Sequence, residues 1–584
     1  MLTLGLIDSK PSSVALVDDG RIIAAVAEER LCRMKMAGGM PVAAMDEVLR
    51  IAGASPSDVD RVAVAQVVSV FEPEPIAWKG WFDTTINVRS SLLDGLGSSL
   101  APIAGSTPAA LRAQQILKRW LFRDRRKRIP ALLRERWGIN APVSFFDHHL
   151  AHAASAYYTG GFERALVVTL DGGGDGLSGS VWEGIDGRLR RLDSISSFHS
   201  LGNFYSYVTE LCGFKAERHE GKVTGLAARG QPIYADDLRE VICYEEPGKI
   251  RYLVPMYHRS ALRALKSRLP PDFNRADLAA SAQLVLENIG IAFVRHWLRS
   301  TGMTNLCLAG GVFSNVRLNQ GLVEIPEVSQ ISVHPAMDDS GLAVGAALQS
   351  HAKQSGGRLA PVRLPNAYLG PEFSNAEIAA ALAEAGLMSS REGRIQEAIS
   401  ERLAAGAVVA RFHGRMEYGP RALGNRSLLY QPTDPSVNDW LNERLQRTEF
   451  MPFAPATLAE QADDCYEQLE GARDAARFMT ITLDCTVKMR DACPGVVHVD
   501  GTARPQLVDA DTSPDLYAIL SAYHARTGLP ALINTSFNLH EEPIVCTPGD
   551  AIRAFLQGRI DYLAIGDHLI PHPAIETEGP EARS

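Results

Sequence analysis

Three apolar runs, the last two joined by an Asp-Gly turn, occur twice in this chain, and that repeat limits the fold more than any other feature. The first copy is residues 2–7, 13–17 and 21–26, with Asp18-Asp19-Gly20 before the third run. The second is residues 166–170, 178–182 and 188–192, with Asp186-Gly187 before its third run and an acidic, glycine-rich loop at 171–176. Short apolar runs bounded by turn residues read as strands, and Asp-Gly between two of them reads as a tight hairpin. One such hairpin is common. The same three-run unit twice predicts a duplicated α/β core.

Residues 147–175 carry the most chemistry. The run from Leu150 to Tyr158 is small and apolar, without Gly or Pro, which predicts a helix. His148 and His152 are four apart and share a face of that helix, a spacing that lets two imidazoles hold one metal ion. The next strand carries Asp171 to its carboxyl end, where open α/β sheets place ligands. Two histidines and a carboxylate suit iron, manganese or zinc. A lone His-x-x-x-His is more often a pair of surface or capping histidines; Asp171 tips the reading toward a metal. Asp339, after the strand 331–334, is placed either to complete that set or to cap the following helix. Leu306–Asn315 reads as strand, Gly310-Gly311, helix start, where backbone approaches a ligand and a helix N-terminus favours a phosphate or ribose-phosphate. Residues 200–205 and 220–227 read as ligand-facing loops entering helices, or as a turn and a capped helix.

A chain of 584 residues is too long for one core, so two or three domains are expected. The polar, Gly-rich stretch 349–363, with Pro361 and Pro365, marks a boundary. It separates domains at 1–355 and 366–575. A helical insertion interrupts the first around 68–140. Its part at 118–128 is strongly basic around Trp120, Leu121 and Phe122, which reads as a solvated helix with an aromatic edge, or a surface for membranes or anionic partners. A net charge of −9 gives no reason to expect a nucleic-acid partner. Eight cysteines without Cys-x-x-Cys spacing read as reduced thiols. No leader pattern follows Met1, and no run of about eighteen apolar residues predicts a membrane span; a cytoplasmic location is expected.

The second part begins with a helix at 375–385 and a strand at 407–412. Three motifs follow: Gly419-Pro420-Arg421-Ala422-Leu423-Gly424-Asn425-Arg426-Ser427, Pro452-Phe453-Ala454-Pro455, and Asn534-Thr535-Ser536-Phe537-Asn538. Arg421, Arg426 and Arg504 offer planar forks for phosphate oxygens, and Asn534 and Ser536 add neutral donors. Scattered arginines are more often surface charge. Their rigid, half-apolar contexts favour a phosphate-bearing substrate here.

Together, residues 148–158, 220–227, 310–315, 419–427, 452–455 and 534–538 resemble the NodU/CmcH family of carbamoyltransferases, over essentially the whole chain. The resemblance implies a TsaD-like domain of the actin-like ATPase fold, the design of actin, sugar kinases and heat-shock ATPases, followed by a YrdC-like α/β domain. It implies that the second domain makes carbamoyl-adenylate from carbamoyl phosphate and ATP. The first would pass the carbamoyl group to a hydroxyl of a small-molecule natural product, as antibiotic O-carbamoyltransferases do. By the same resemblance His148, His152, Asp171 and Asp339 are metal ligands, with iron(II) the implied ion and Mg2+ accompanying ATP. Gly202, Gly311, Asn315 and Asp339 belong to the carbamoyl-adenylate pocket. Arg421, Arg504, Asn534 and Ser536 hold carbamoyl phosphate and ATP. Lys10, Lys35 and Asp171 are the catalytic candidates.

Two departures stand out. Many members carry His-Asp-Ala-Ser-Ala in the first loop, where this chain has Lys10-Pro11-Ser12-Ser13-Val14. Lys10 thus stands where a histidine would act as base. Two roles are open to Lys10: held neutral by burial beside the metal's charge it would accept the acceptor's proton, or charged it would steady the adenylate phosphate, and Asp8, Asp171 and Asp339 favour the charged form. Gln446 and Met451 replace a lysine and the arginine of Arg-Pro-Phe, with Arg444 and Arg447 as nearby substitutes. The alternatives to a carbamoyltransferase are an actin-fold kinase or ATPase, and a binding homologue without chemistry.

Overall fold

The computed structural model describes residues 1–78, 80, 82, 116, 123–254, 256, 259–387, 391–445 and 453–574. The chain divides into two units, Met1–Glu28 with Met36–Leu364, and Glu29–Lys35 with Pro365–Ser584.

In the first unit, β1 (Leu2–Ile7), β2 (Ser13–Asp18) and β3 (Arg21–Ala27) form an antiparallel meander. Parallel strands β4 (Arg61–Ala65) and β5 (Val143–Phe146) extend it on the β1 side, giving the order β3-β2-β1-β4-β5. The second sheet repeats this plan. The meander β6 (Arg164–Gly174), β7 (Leu177–Ile185) and β8 (Arg188–Ser196) comes first. After the hairpin β9 (Ile242–Glu245) and β10 (Lys249–Tyr252), β11 (Asn305–Ala309) and β12 (Gln330–Val333) add in parallel to β6. Both Asp-Gly turns are of the kind the sequence calls for: φ is 43° at Asp19 and 80° at Gly20, and 49° at Asp186 and 77° at Gly187. Positive φ at both central residues matches the right-handed twist of the flanking strands.

Two helices lie on these sheets and on each other. Leu342–Gln354 packs on β1, β2 and β4, and His148–Gly160 packs on β6 and β11. Their close crossing depends on Gly345, where a Cβ would lie 1.8 Å from the Ala151 carbonyl oxygen. The doubled five-strand plan with crossover helices is the actin-like ATPase architecture, of the TsaD-like type expected.

Of the expected helical insertion, residues 79, 81, 83–115 and 117–122 lie outside the described residues. Its described end is the helix Arg125–Trp137, and Arg125 is no surface cation. It is buried and paired with buried Asp8, Nε to Oδ2 at 2.9 Å. The helix Arg275–Thr301 is long and apolar enough to cross a membrane by composition. It packs instead on Glu220–Ala227 and Leu201–Leu211, with 67% of its most apolar window buried, which makes it a core helix. All eight cysteines are free thiols.

The second unit is built on a mixed sheet. Its strands are β13 (Val409–Phe412), β14 (Arg426–Tyr430), β15 (Ala454–Leu458), β18 (Gln506–Val508), β19 (Ala531–Ser536), β20 (Tyr562–Ile565) and β21 (His568–Pro571), in the order β18-β15-β19-β14-β13-β20-β21. A short ladder, β16 (Leu483–Asp484) with β17 (Thr502–Ala503), stands apart. Helices Ile395–Ala404 and Pro514–Thr527 pack together, burying Ile399, Leu403, Ile519 and Leu520 with Val409, Leu429 and Leu532 of the sheet. The second unit is thus an α/β domain, as expected.

Candidate active site

The metal-ligand candidates converge. Helix His148–Gly160 follows β5 directly, and its start is pinned from two sides. The Asp147 side chain accepts the Leu150 N–H at 3.0 Å. Asp175 accepts the N–H groups of His148 (2.9 Å), Val67 (2.8 Å) and Val68 (2.7 Å). His148 and His152 therefore project together, with ring centroids 4.8 Å apart. Gly174 leaves room for them, since a Cβ there would lie 2.2 Å from the His148 ring.

Asp171 differs from expectation in its setting. Residues 171–174 are not a loop: β6 runs on to Gly174, and the pairing is irregular between Leu170 and Gly174. Such an irregularity re-aims a side chain within a strand. Asp339 is also clarified. The residue that caps the turn Asp339–Gly341 is Asp338, which accepts the Ser340 N–H at 3.0 Å. Asp339 is left to face the histidines. Ser13 ties this turn to β2 by donating to the Ser340 carbonyl at 2.8 Å.

His148 Nε2 lies 2.6 Å from Asp171 Oδ2 and 3.7 Å from Asp339 Oδ1. His152 Nε2 lies 3.5 Å and 3.4 Å from the same two oxygens. One ligand atom from each of the four residues falls within 4.8 Å of the others. His152 Nε2 is buried without a hydrogen-bond partner, which a protein core rarely tolerates. Three buried donors and the half-buried Asp339, two nitrogen and two carboxylate, converge in a set that fits a borderline divalent ion. Burial disfavours the charged form of His148, yet the carboxylates of Asp339 and Asp171 outweigh it and raise its pKa to about 10. The same balance raises His152. Burial opposes the charge on Asp171, but His149 and His148 hold it well below the usual carboxylate range.

His149 went unremarked in the sequence, although its place between two ligand candidates is a signal. It is fully buried, with Nδ1 2.8 Å from Thr169 Oγ1 and Nε2 3.6 Å from Asp171 Oδ1.

The pocket candidates fall around this centre. Gly202 lies against the Asp171 backbone; a Cβ would be 2.6 Å from its carbonyl. Ser200 caps the helix Leu201–Leu211 and donates to the Asp171 carbonyl at 2.8 Å. Gly311 faces open space, unlike Gly310, whose Cβ would meet the Leu170 carbonyl oxygen at 2.2 Å. Asn315 caps the next helix and exchanges hydrogen bonds with Gln283 at 2.8 Å and 3.0 Å. Lys10 has another partner than expected. Asp8 is taken by Arg125, and the Lys10 ammonium pairs with Glu217 and sits 3.1 Å above the Trp78 ring. Lys35 belongs to the segment that groups with the second unit.

In the second unit, Glu417 Oε1 accepts the N–H groups of Leu423 (2.8 Å), Asn425 (2.7 Å) and Arg426 (3.1 Å), shaping the loop that bears Arg421. Gln506 Nε2 donates to the Leu423 carbonyl at 2.8 Å, and its Oε1 accepts from Asn534 Nδ2 at 2.7 Å. That leaves Asn534 Oδ1 buried without a partner. Ser536 pairs in register with Ser427 at the ends of β19 and β14. Arg504 precedes Gln506 by two residues on the approach to β18.

Arg426 is a correction. It is fully buried, stacked 3.7 Å over the Phe412 ring, and donates to the carbonyls of His413 (2.7 Å), Asn425 (3.0 Å), Gly414 (3.1 Å) and Pro371 (3.2 Å). It spends four of its five N–H groups on the loop, and the fifth, Nε–H, is buried with them, so it presents no exposed donor to a phosphate. Arg444 donates to Asp561 at 2.9 Å, so it does not stand in for the missing lysine. Gln446, Arg447 and Met451 lie outside the described residues.

The fold and the site define a two-domain α/β protein with a buried histidine–aspartate centre competent for a metal. Comparison with known proteins fixes the class: the chain belongs to the carbamoyltransferase family. The carbamoyltransferase N-terminus matches residues 4–348 and the carbamoyltransferase C-terminus residues 400–572. The nodulation protein NolNO of Sinorhizobium fredii is 34% identical over 96% of this chain and 78% of its own length. The nodulation protein NolO of Bradyrhizobium diazoefficiens is 38% identical over 73% and 78%. An uncharacterized protein of Synechocystis is 32% identical over 96% and 95%. The protein is a carbamoyltransferase.

Proposed function

We propose that this carbamoyltransferase forms carbamoyl-adenylate from carbamoyl phosphate and ATP and carries the carbamoyl group to a hydroxyl of a small-molecule natural product. The observation that carries the reading is the buried cluster of His148, His152, Asp171 and Asp339 at the heart of an actin-like ATPase unit. Activation consumes one water: carbamoyl phosphate is hydrolysed to carbamate and inorganic phosphate, and the carbamate oxygen then bonds to the α-phosphorus of ATP and expels pyrophosphate. Transfer forms a bond from the acceptor oxygen to the carbamoyl carbon, breaks the bond to AMP and releases the hydroxyl proton. A divalent ion at the four ligands, iron(II) in this reading, would polarise the carbamoyl oxygen as charge builds there.

The chain's own residues supply the rest. Gly311, with open space at its Cα, allows close approach of the adenylate at the start of the helical turn after β11. Gly202 packs against the Asp171 backbone, and Asn315 caps the helix that follows Gly311. Lys10, held by Glu217 and Trp78, serves as a cation for the adenylate phosphate and not as the base. Arg421, Arg504, Asn534 and Ser536 receive carbamoyl phosphate and ATP with its Mg2+, and Lys35 adds a positive charge to the same unit. Enclosure protects an intermediate that water destroys.

The test separates the two halves of the reaction. Carbamoyl-phosphate-dependent exchange between ATP and pyrophosphate should survive His152→Ala, while transfer of labelled carbamoyl to acceptor alcohols should stop. Absence of the exchange in the native enzyme, or full transfer by His152→Ala, removes the proposal. Transfer of the ATP γ-phosphate instead would make the protein a kinase.

A further inference from the structure

Asp171 has two oxygens and only one of them faces the other ligands. Oδ2 lies near His148 and His152, whereas Oδ1 faces His149 Nε2 at 3.6 Å. Whether that nitrogen carries a hydrogen decides whether it attracts or repels the carboxylate. The answer lies in a buried chain behind it. Trp182 Nε1 is 2.7 Å from Ser180 Oγ, Ser180 Oγ is 2.7 Å from Thr169 Oγ1, and Thr169 Oγ1 is 2.8 Å from His149 Nδ1. The Ser180 backbone N–H also points at Thr169 Oγ1, at 3.1 Å.

Two members of this chain can only donate. The Trp182 indole N–H fills one lone pair of Ser180 Oγ, and the Ser180 amide fills one lone pair of Thr169 Oγ1. One proton must then lie between the two hydroxyls. If Ser180 donates to Thr169, both Thr169 lone pairs are filled and its hydrogen goes to His149 Nδ1 at 2.8 Å in preference to the Ser180 carbonyl, which is farther at 3.4 Å. Every hydrogen in the chain is then used. If Thr169 donates to Ser180, the Ser180 hydrogen has no acceptor in a fully buried site, and a bare His149 Nε2 faces a carboxylate. The first arrangement wins on both counts, and it leaves Nε2 protonated toward Asp171.

We propose that His149 is a positioning residue for the metal centre: Trp182, Ser180 and Thr169 fix it as the Nε2–H tautomer, whose N–H end attracts Asp171 Oδ1 across 3.6 Å and leaves Oδ2 for the ion. The inference rests on the metal reading above. Outer partners of a metal ligand orient it, and loss of such a partner weakens the ion by roughly 10- to 100-fold.

Thr169→Val keeps the shape and removes the hydroxyl. Titration of the metal-free enzyme with Mn2+ and with Zn2+ should show binding weaker by about tenfold or more. Trp182→Phe, two links further away, should weaken it less. Nitrogen-15 spectra of histidine-labelled metal-free enzyme should show His149, assigned by its loss in His149→Phe, protonated at Nε2 and moved by Thr169→Val. Unchanged affinity in Thr169→Val overturns the proposal, and so does an Nδ1–H tautomer in the native protein. If the native enzyme binds neither ion, the metal reading itself falls and takes this inference with it.

Discussion

Gly174→Ala is a one-methyl test of the metal centre. The added Cβ would lie 2.2 Å from Cγ and Nδ1 of His148 and 2.6 Å from Cδ2, whereas ordinary contact begins near 3.4 Å. The ring must give way by about 1 Å. It has nowhere convenient to go: it is buried, and its helix start is held by hydrogen bonds to Asp147 and Asp175. Metal–ligand distances tolerate only about 0.2 Å, so a shift of that size removes His148 as a ligand. Overpacking of this kind costs roughly 1–3 kcal/mol of stability. Titration with a divalent ion against a competing chelator should show affinity reduced by at least about tenfold. Transfer should fall in parallel, while ATP–pyrophosphate exchange by the second unit should persist. A Gly174→Ala enzyme that binds the ion as tightly as the native one would refute this account of the site.

Three further outcomes follow from other contacts. Arg426→Met should lower stability by about 3 kcal/mol or more, read from urea denaturation, because four buried carbonyls lose their donor; a change below about 1 kcal/mol would return Arg426 to the phosphate candidates. Arg504→Ala should raise the carbamoyl phosphate concentration needed for exchange by about tenfold, the effect of losing a charge-assisted contact of roughly 1.5–3 kcal/mol; an unchanged dependence removes it from the site. Burial opposes the charge on Asp500, but hydrogen bonds with His498 and Thr502 outweigh it and hold the carboxyl below the usual range. A depressed folded pKa adds stability above the unfolded value of about 4 and loses it as pH falls through the folded one. Asp500→Asn should therefore be destabilised at pH 7 relative to the native protein, and the gap should close in acid; a gap independent of pH would contradict this.

The sequence was most readable where local geometry leaves few choices. Asp19-Gly20 and Asp186-Gly187 specify their turns through positive φ, and the two hairpins carried the duplicated core with them. His148 and His152 were legible because four residues on a helix is a fixed distance. Asp171 was legible as a neighbour of the two histidines but not in its setting, since a ladder irregularity depends on the partner strand and not on the residue itself. Asp339 stayed ambiguous until neighbouring Asp338 was seen to take the capping role. Arg426 misled because an arginine that serves main-chain carbonyls has the same letter as one that serves a phosphate; only its burial separates them. Lys10 drew its counter-ion from Glu217, more than two hundred residues away, which no local pattern announces.

The seven residues Glu29–Lys35 group with the second unit although the chain on both sides belongs to the first. Within that unit Arg33 donates to the carbonyls of Ile544 (2.7 Å) and Pro543 (2.8 Å), and Arg30 donates to the Gly419 carbonyl (2.9 Å) at the start of the Arg421 loop. The two halves are therefore not modular in the genetic sense. A C-terminal half expressed alone, or transplanted onto another carbamoyltransferase, would leave these carbonyls without their arginines unless a peptide of this short segment were supplied in trans. Recombination between relatives should respect the same linkage: a crossover near residue 360 exchanges most of the second unit but separates it from its own N-terminal piece.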